Sequence, residues 1–302
     1  MRTGLGAVAA IPPRILSNAL YGAAGLLKLA GAGLNWLRIR HVDFDPRPDD
    51  VFLVSYPHSG MAWLQLIVYR VTRGDDFDFA HIGERIPWFE RMAFRDADPR
   101  DLASPRIFKS YLSRSRLPRG GGRCIYLCRD PGDVALEAFE VHRSHRAARG
   151  TPFSEFFERF EKGRIRYGRW EEHVAGWWSH RDDPDVLVLW HEDLCGDLEG
   201  AVRKISGFLG VDLDDTEVSA VVERCRSEEL DRHWKEFDET VELLVEIGIT
   251  NRGNFIRTGQ SGHGAHLLSP DQRRRLESRI LGRTGLDVAA LMQSSSRVGG
   301  AR

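Results

Sequence analysis

Cysteine is scarce in this chain, and the spacing of the few that occur excludes two kinds of site. The 302 residues contain four cysteines and no CxxC pair. Cys124 and Cys128 lie four residues apart in an apolar run typical of a strand, where about 13 Å would separate them, too far for a disulfide. We therefore expect neither a disulfide nor a metal site, which suits a protein of the reducing cytoplasm.

An excess of charge of either sign is also missing. The chain has 43 basic and 44 acidic residues and a formal net charge of -1. Binding to a nucleic-acid backbone depends on a concentrated basic surface, and no overall positive field is available here. We therefore expect no nucleic-acid partner.

The chain has only one apolar stretch long enough to resemble a membrane span, residues 15–37, and Lys28 interrupts it near its centre. Its larger apolar side chains recur at spacings of three and four, which predicts an amphipathic helix packed on protein. Contact with a membrane surface and a true membrane span remain less favoured alternatives, and the same apolar seam could serve a homodimer. We expect this helical segment at 1–42, one α/β domain at 43–292 and a flexible tail at 293–302.

A strand, a tight turn and a helix are predicted in residues 51–65, VFLVSYPHSGMAWLQ. The first N–H groups of such a helix have no intrahelical acceptor and favour an anion above the turn. The segment lacks the GxxxxGK[ST] pattern, so a nucleoside triphosphate is disfavoured. A turn that binds no ligand remains an open alternative.

A second unit of this kind is predicted in CIYLCRDPGDVA, residues 124–135. Arg129 ends the strand, and Asp130 is placed to cap a helix that begins at Pro131. The Arg129 guanidinium suits a phosphate, although pairing with a carboxylate is the alternative. Further apolar runs alternate with helical patterns, which predicts a doubly wound parallel sheet with ligands at the carboxyl ends of its strands.

Five motifs occur in the order and approximate spacing of one family. They are SYPHSG-x-x-WLQ, FKSYL…LP, IYLCRDPGDVA, HEDL followed by FLG, and FIRTG-x-x-G, over about residues 50 to 270. The chain resembles the cytosolic-type sulfotransferases, as a divergent and bacterial-looking member. The resemblance implies a sulfotransferase-like (P-loop-like) α/β fold. It also implies transfer of a sulfuryl group from 3′-phosphoadenosine-5′-phosphosulfate (PAPS) to a hydroxyl or amine, with PAP as the product.

The resemblance also implies which residues form the site. The phosphosulfate would lie on the main chain of residues 59–62, the adenine on Trp63, and the 3′-phosphate between Arg129 and the loop at 257–259. The expected donor-binding residues are Ser59, Gly60, Met61, Ala62, Trp63, Arg129, Glu137, Arg257, Thr258 and Gly259. The expected catalytic residues are His58, Lys109 and Tyr111.

Two of the catalytic positions depart from the family pattern. His58 stands where the family has a lysine that bonds the leaving oxygen, and Tyr111 stands where it has the histidine base. A tyrosine with its ordinary pKa of about 10 is a poor base at pH 7. His58 could replace either missing group, but it cannot act as acid and base in one step.

The donor-binding positions depart as well. Met61 and Ala62 replace two threonines, Thr258 replaces a lysine and Glu137 replaces a serine. A carboxylate 4 Å from a phosphate costs about 4 kcal/mol at an effective dielectric of 20. Alternatively, Glu137 pairs with Arg129 and fills the phosphate position internally.

Three functions follow from these observations. The first is PAPS-dependent sulfuryl transfer to the hydroxyl of a small, apolar acceptor. The alternatives are a repurposed enzyme with different, PAPS-independent chemistry on a natural-product-like substrate, and a non-catalytic binding protein. Both are suggested by His58, Tyr111 and Glu137.

Overall fold

A computed structural model describes residues 44–74, 77–94, 99–118, 122–144, 150–165, 167–237, 262, 264 and 267–285. The segment 15–37, the tail at 293–302 and most of the loop at 250–269 lie outside these residues. Predictions about them, including the domain boundaries, therefore stay predictions. The strands and α-helices described below belong to one compact unit, residues 45–92 and 97–302.

The centre of this unit is a parallel sheet of near-continuous apolar strands. These are β1 (Val51–Ser55), β2 (Ile107–Ser110), β3 (Arg123–Cys128) and β4 (Val186–Trp190). They lie in the order β2-β1-β3-β4, and every neighbouring pair is parallel. Every residue of β1 and β2 is buried, as expected when helices cover both faces of a sheet. The predicted α/β class is confirmed, and so are the strands predicted in residues 51–65 and 124–135.

α-Helices lie in the connections from β1 to β2 and from β3 to β4 and follow the last strand. They are α1 (Met61–Arg73), α2 (Pro131–Ser144), α3 (Phe153–Glu161), α4 (Trp170–Trp178), α5 (His191–Gly196), α6 (Leu198–Leu209), α7 (Asp215–Arg224), α8 (Ser227–Arg232), α9 (Trp234–Phe237) and α10 (Pro270–Thr284). Short 3-10 helices occupy Ile82–Glu84, Phe89–Phe94, Pro99–Asp101 and Arg114–Arg116. In this part of the chain, no helix combines the length and hydrophobicity needed to cross a membrane.

The strand order brings two turns together. The chain runs outward from β1 to β2, returns past β1 to β3 and continues in the other direction to β4. Because such crossovers are right-handed, the two directions place helices on opposite faces, which makes the sheet doubly wound. β1 and β3 are neighbours at the point where the direction reverses, so the turns that follow them meet at one edge of the sheet.

The core forms where α1 packs on the sheet. Its apolar positions at spacings of three and four are all buried: Trp63, Leu64, Ile67, Val68 and Val71. They belong to one cluster with residues of α6 and α7. This packing fixes the start of α1, and therefore the turn before it, relative to β1 and β3.

Candidate active site

The turn between β1 and α1 is held in a backbone conformation that few residues adopt. His58 has φ 68° and Gly60 has φ 94°. A Cβ on Gly60 would lie 2.6 Å from Cδ2 of His191, so glycine is required here both by backbone angle and by space. Gly60 is the N-cap and has no side chain to accept the first N–H groups, and the first turn of α1 holds no acidic residue. The helix end is therefore suited to an external anion.

Ser59 supplies a further group at this helix end. Its side chain is fully buried, and its Oγ has no hydrogen-bond partner among the described residues. A buried hydroxyl without a partner costs about 1–3 kcal/mol, and such groups call for a specific explanation. A ligand above the turn would provide the missing partner.

Arg129 lies directly beside the turn, as the sequence predicts. Its Nη1 donates to the carbonyl oxygen of His58 at 3.1 Å and to Oε1 of Glu137 at 2.7 Å. The guanidinium is 3 % exposed and the Glu137 side chain is 20 % exposed. The predicted internal pairing of Arg129 with Glu137 is therefore present in this structure. We call the turn at 56–60, Arg129 and the first turn of α2 the anion side of the site.

His58 is half-buried on the anion side. Burial first, and the nearby charge of Arg129 second, together lower its pKa from 6.5 to about 4. The imidazole is therefore neutral at pH 7 unless a bound anion raises its pKa again. In this state it cannot serve as the acid that the family's lysine would provide.

Three acidic side chains, those of Asp130, Asp133 and Glu192, lie at the N-terminus of α2. Asp130 caps it by accepting from the N–H of Gly132 at 2.8 Å and of Asp133 at 3.0 Å, which confirms the predicted cap. Glu192 accepts from the N–H of Asp130 at 2.9 Å. Burial raises the pKa of Asp130 to about 6, with the charge of Asp133 second, and burial raises the pKa of Glu192 to about 7.

Asp133 attaches the C-terminal loop to this helix. Its Oδ2 accepts from the N–H of Gly262 at 2.7 Å and its Oδ1 from the N–H of Gly264 at 2.6 Å. A Cβ on Gly264 would lie 2.0 Å from the carbonyl carbon of Gly132, so the two backbones pack without room for a side chain. The predicted phosphate contacts at 257–259 lie outside the described residues, but the chain just after them is fixed on the anion side.

Trp63 and His191 pack against each other beneath the turn. Their ring centroids are 5.5 Å apart in an edge-to-face arrangement, and the Trp63 indole N–H donates to the carbonyl of Cys225 at 2.6 Å. Burial, followed by the charge of Arg129, lowers the pKa of His191 well below its usual value. Trp63 is 6 % exposed, so only an edge of the ring is open to a ligand, and its contact with adenine stays a prediction.

The second half of the site lies at the end of β2, at the same edge of the sheet. Lys109 pairs in register with Leu53 of β1 and is fully buried, with Nζ 5.0 Å from the ring centroid of Trp88. Tyr111 meets Trp88 edge to face at 5.3 Å and Tyr167 at 5.9 Å. We call Trp88, Glu90, Lys109, Tyr111 and Tyr167 the aromatic side of the site.

Two groups fix the main chain at Tyr111. Its N–H donates to Oε1 of Glu90 at 2.6 Å, and its carbonyl lies 3.1 Å from Nε2 of His173. Burial lowers the pKa of His173 to about 4. The neutral imidazole donates from Nε2 to Tyr111 and accepts at Nδ1, 3.0 Å away, from the hydroxyl of Tyr126.

The sequence did not predict Glu90, Asp133, His173, His191 or Glu192 as site residues, although His191 and Glu192 begin the HEDL motif. His191 and Glu192 follow β4 directly, and a position at the carboxyl end of a parallel strand was a usable signal. Glu90 is a single acid after the apolar run IPWF, which was also a usable signal. Among the described residues, no group of three or more His, Cys, Asp or Glu could hold a metal ion.

A family model named Sulfotransferase domain matches residues 48–287. The chain belongs to this family, which confirms the resemblance and the predicted class of enzyme, a transferase of sulfuryl groups. Sulfotransferase 4A1 of Mus musculus is 38 % identical over 191 residues, which cover 61 % of this chain and 67 % of that protein. The amine sulfotransferase of Oryctolagus cuniculus is 31 % identical over 247 residues, 78 % of this chain and 80 % of the relative.

Solved structures agree on the fold. A mouse sulfotransferase complexed with PAP has a TM-score of 0.64 at 25 % identity, covering 84 % of this chain and 91 % of its own. Retinol dehydratase in a complex with retinol and PAP has a TM-score of 0.66 at 25 % identity, covering 80 % and 84 %. The sulfotransferase-like fold is therefore confirmed, and the bacterial origin of the chain stays a prediction.

Proposed function

We propose that the protein transfers a sulfuryl group from PAPS to the hydroxyl of a small, apolar acceptor. The observation that carries this proposal is the composition of the anion side. An uncapped helix N-terminus, the buried hydroxyl of Ser59 and the guanidinium of Arg129 converge on one turn. Each of these groups can donate a hydrogen bond, and an anion with several acceptor oxygens fits them.

On the anion side, the main-chain N–H groups at the start of α1 and the Ser59 hydroxyl would hold the phosphosulfate end of the donor. When bound, PAPS would supply the sulfuryl group, which is attached to a phosphate that acts as the leaving group. Since Met61 and Ala62 have no hydroxyl, this binding relies on the main chain. Arg129, with residues 257–259, would hold the 3′-phosphate at the N-terminus of α2. Glu137 must then give up its contact with Arg129, so it opposes binding of that phosphate.

On the aromatic side, the rings of Trp88, Tyr111 and Tyr167 pack against one another, and an apolar acceptor would contact this cluster. Two of the similar structures contain retinol or androsterone, both of them apolar alcohols, together with PAP. Lys109 would stabilise negative charge that develops on oxygen during transfer. Tyr111 would orient the acceptor, because its phenol is too weak an acid to serve as base at pH 7.

The repurposed enzyme remains the second candidate, and one observation favours it. The 2.7 Å pair of Arg129 and Glu137 already satisfies the cation that a 3′-phosphate would need. A protein that retains this pair would bind PAP weakly or not at all. The experiment below separates the two functions.

PAP binding is the direct test. PAP at 100 times its dissociation constant adds about 2.7 kcal/mol to the free energy of unfolding, which a thermal shift detects. We expect this stabilisation in the wild type and its loss in Arg129→Gln. Arg203→Gln, which alters an exposed arginine paired with Glu199, is the matched control and keeps the shift. Transfer of labelled sulfate from PAPS to 2-naphthol completes the test. No stabilisation and no labelled product would contradict the proposal.

We also propose that the protein acts in the cytoplasm. The cysteines at 124, 128, 195 and 225 are all free thiols, which suits a reducing compartment. Homodimer formation and membrane-surface contact through residues 15–37 stay predictions.

A further inference from the structure

The two helix N-termini on the anion side differ in charge. The start of α1 has no acidic residue in its first turn and no side-chain cap. The start of α2 instead holds the carboxylates of Asp130, Asp133 and Glu192. A fourth carboxylate, that of Glu137 in α2, contacts Arg129. An external anion therefore suits the first helix end, whereas the second is already supplied with negative charge.

Among the described residues, the cations near the start of α2 do not balance these carboxylates. Burial would lower the pKa of Arg129, but the nearby carboxylates, Glu137 first, outweigh that effect and raise it. The charge of Arg273 in α10 also acts on Asp130, but Arg273 lies 3.6 Å from Glu277. A phosphate group added at this helix end would therefore meet net repulsion.

Glu137 is also the accessible member of its pair with Arg129. Its side chain is 20 % exposed, whereas that of Arg129 is 3 % exposed. A ligand that reaches this position from solvent therefore meets the carboxylate before the guanidinium. Because an ionised carboxylate only accepts hydrogen bonds, the ligand group that fits here is a donor, such as a hydroxyl.

The position of Glu137 faces the sugar of a nucleotide bound at the first turn. Arg129 uses one nitrogen, Nη1, to donate both to the His58 carbonyl at 3.1 Å and to Oε1 of Glu137 at 2.7 Å. The carboxylate is therefore one guanidinium nitrogen away from the turn that would hold the phosphosulfate. In a nucleotide, only the ribose separates the 5′ group from the 3′ position. In dinucleotide-binding folds an acidic side chain binds a ribose hydroxyl, and an arginine accommodates a phosphate there instead.

We propose that the site also accepts a donor without a 3′-phosphate, adenosine 5′-phosphosulfate, and that Glu137 selects it by accepting a hydrogen bond from the ribose 3′-hydroxyl. This inference rests on the proposed function, since it concerns the donor of the same transfer. A carboxylate accepts several hydrogen bonds at once, so the hydroxyl binds while Glu137 keeps its contact with Arg129. A 3′-phosphate has to displace that contact.

The transfer step does not need the 3′-phosphate. The acceptor's oxygen forms the new O–S bond, and the S–O bond to the 5′-phosphate breaks with its electron pair on the phosphate oxygen. Adenosine 5′-monophosphate (AMP) leaves in place of PAP, and the acceptor's proton passes to water. No further reactant is required.

Titration calorimetry with PAP and AMP tests this selection, because the two ligands differ only in the 3′-phosphate. AMP should bind the wild type at least as tightly as PAP does. In Glu137→Ser, PAP should bind about tenfold to a thousandfold more tightly and AMP about three- to tenfold more weakly, so the preference reverses. Glu140→Ser, in the same helix and paired with Arg143 at 3.6 Å, is the control and should keep the wild-type ratio.

The 3′-deoxy analogue of AMP isolates the hydroxyl. It should bind the wild type about tenfold more weakly than AMP, because it cannot donate to Glu137. In Glu137→Ala, which removes the acceptor, the two ligands should bind equally. Labelled sulfate should also pass from adenosine 5′-phosphosulfate to 2-naphthol in the wild type.

The outcomes separate this inference from the function on which it rests. If the wild type binds PAP more than about tenfold more tightly than AMP, or binds AMP and its 3′-deoxy analogue equally, Glu137 does not select a 3′-hydroxyl. PAPS-dependent transfer would be unaffected by either result. If the wild type binds neither PAP nor AMP and transfers sulfate from neither donor, the proposed function itself fails.

Discussion

On the anion side the proposed binding groups are main-chain N–H groups of one turn, a serine hydroxyl and one guanidinium. The aromatic side depends instead on side chains from segments far apart in sequence. Residues 59–62 follow β1 without a break, and Arg129 ends the neighbouring strand. Glu90, Lys109 and His173 come from a 3-10 helix, a strand and a helix. Fold topology alone therefore assembles the first half, and side-chain packing assembles the second.

This difference explains which half tolerates sequence change. The main chain at Met61 and Ala62 keeps its donors whatever the side chains are, so the loss of two hydroxyls leaves the helix end intact. A replaced side chain on the aromatic side removes the group itself, as at Tyr111. The anion side has one comparable weakness, the added carboxylate of Glu137.

Gly60→Ala should have the largest effect on stability and PAP binding, because it distorts the main chain of the anion side. The new Cβ would lie 2.6 Å from His191 Cδ2 at a φ of 94°. Strain and overpacking together cost about 2–5 kcal/mol, and PAP stabilisation should be lost. Chemical denaturation and a thermal shift with PAP measure both.

A matched glycine variant isolates the cause. Gly207→Ala in α6 meets nothing within 4 Å and should stabilise the protein by about 0.5–1 kcal/mol, as expected for alanine in a helix. Adding His191→Ala to Gly60→Ala should recover part of the stability. Equal losses from Gly60→Ala and Gly207→Ala would show that the turn has no special geometry.

Glu137→Ser should strengthen PAP binding, by between about tenfold and a thousandfold. The carboxylate now pairs with Arg129 at 2.7 Å, and a carboxylate close to a phosphate costs about 4 kcal/mol before its partial exposure is taken into account. Titration calorimetry with PAP measures the change. Glu140→Ser, on the same helix and paired with Arg143 at 3.6 Å, is the control and should leave the affinity unchanged. An unchanged affinity in Glu137→Ser would mean that Arg129 does not hold the 3′-phosphate.

The features of the anion side can be predicted from the sequence better than those of the aromatic side. A strand, a turn and a helix can be recognised locally, and a parallel sheet places successive turns at one edge. The meeting of residues 57–60 with Arg129 was therefore predictable. The cap at Asp130 was predictable for the same reason, since it depends on residues within one turn.

Contacts made by packing were not predictable in this way. His173 sits in RWEEHVAGWW, where nothing in the spacing indicates that its two ring nitrogens bond Tyr126 and the Tyr111 carbonyl. The orientation of Trp63 is set by the Cys225 carbonyl, 162 residues along the chain. Such positions depend on how α4 and α7 pack against the sheet, and hydrophobic periodicity does not specify that packing.

The pH dependence of protein stability should differ between variants at His173, on the aromatic side, and at His58, on the anion side. The folded-state pKa of His173 is lowered to about 4, so the unfolded state binds the proton first and stability is lost as pH falls below 6.5. Between pH 7 and pH 5 the wild type should therefore lose about 2 kcal/mol more stability than His173→Gln. His58→Gln should differ less from the wild type, because His58 is half-buried. Urea titrations at the two pH values measure both differences, and identical pH slopes in the wild type and His173→Gln would contradict a buried neutral imidazole.

Asp133→Asn should have the smallest effect on stability. This variant tests whether the C-terminal loop belongs to the anion side. An asparagine accepts from only one of the Gly262 and Gly264 N–H groups, a loss of about 1–2 kcal/mol locally. Exchange of those two amides should then accelerate by a factor of about 5–30. Asp197→Asn, at the N-cap of α6, is the control, since asparagine caps a helix as well as aspartate does. If faster exchange is accompanied by weaker PAP binding, the loop completes the phosphate site; if affinity is unchanged, the turn and Arg129 alone define it.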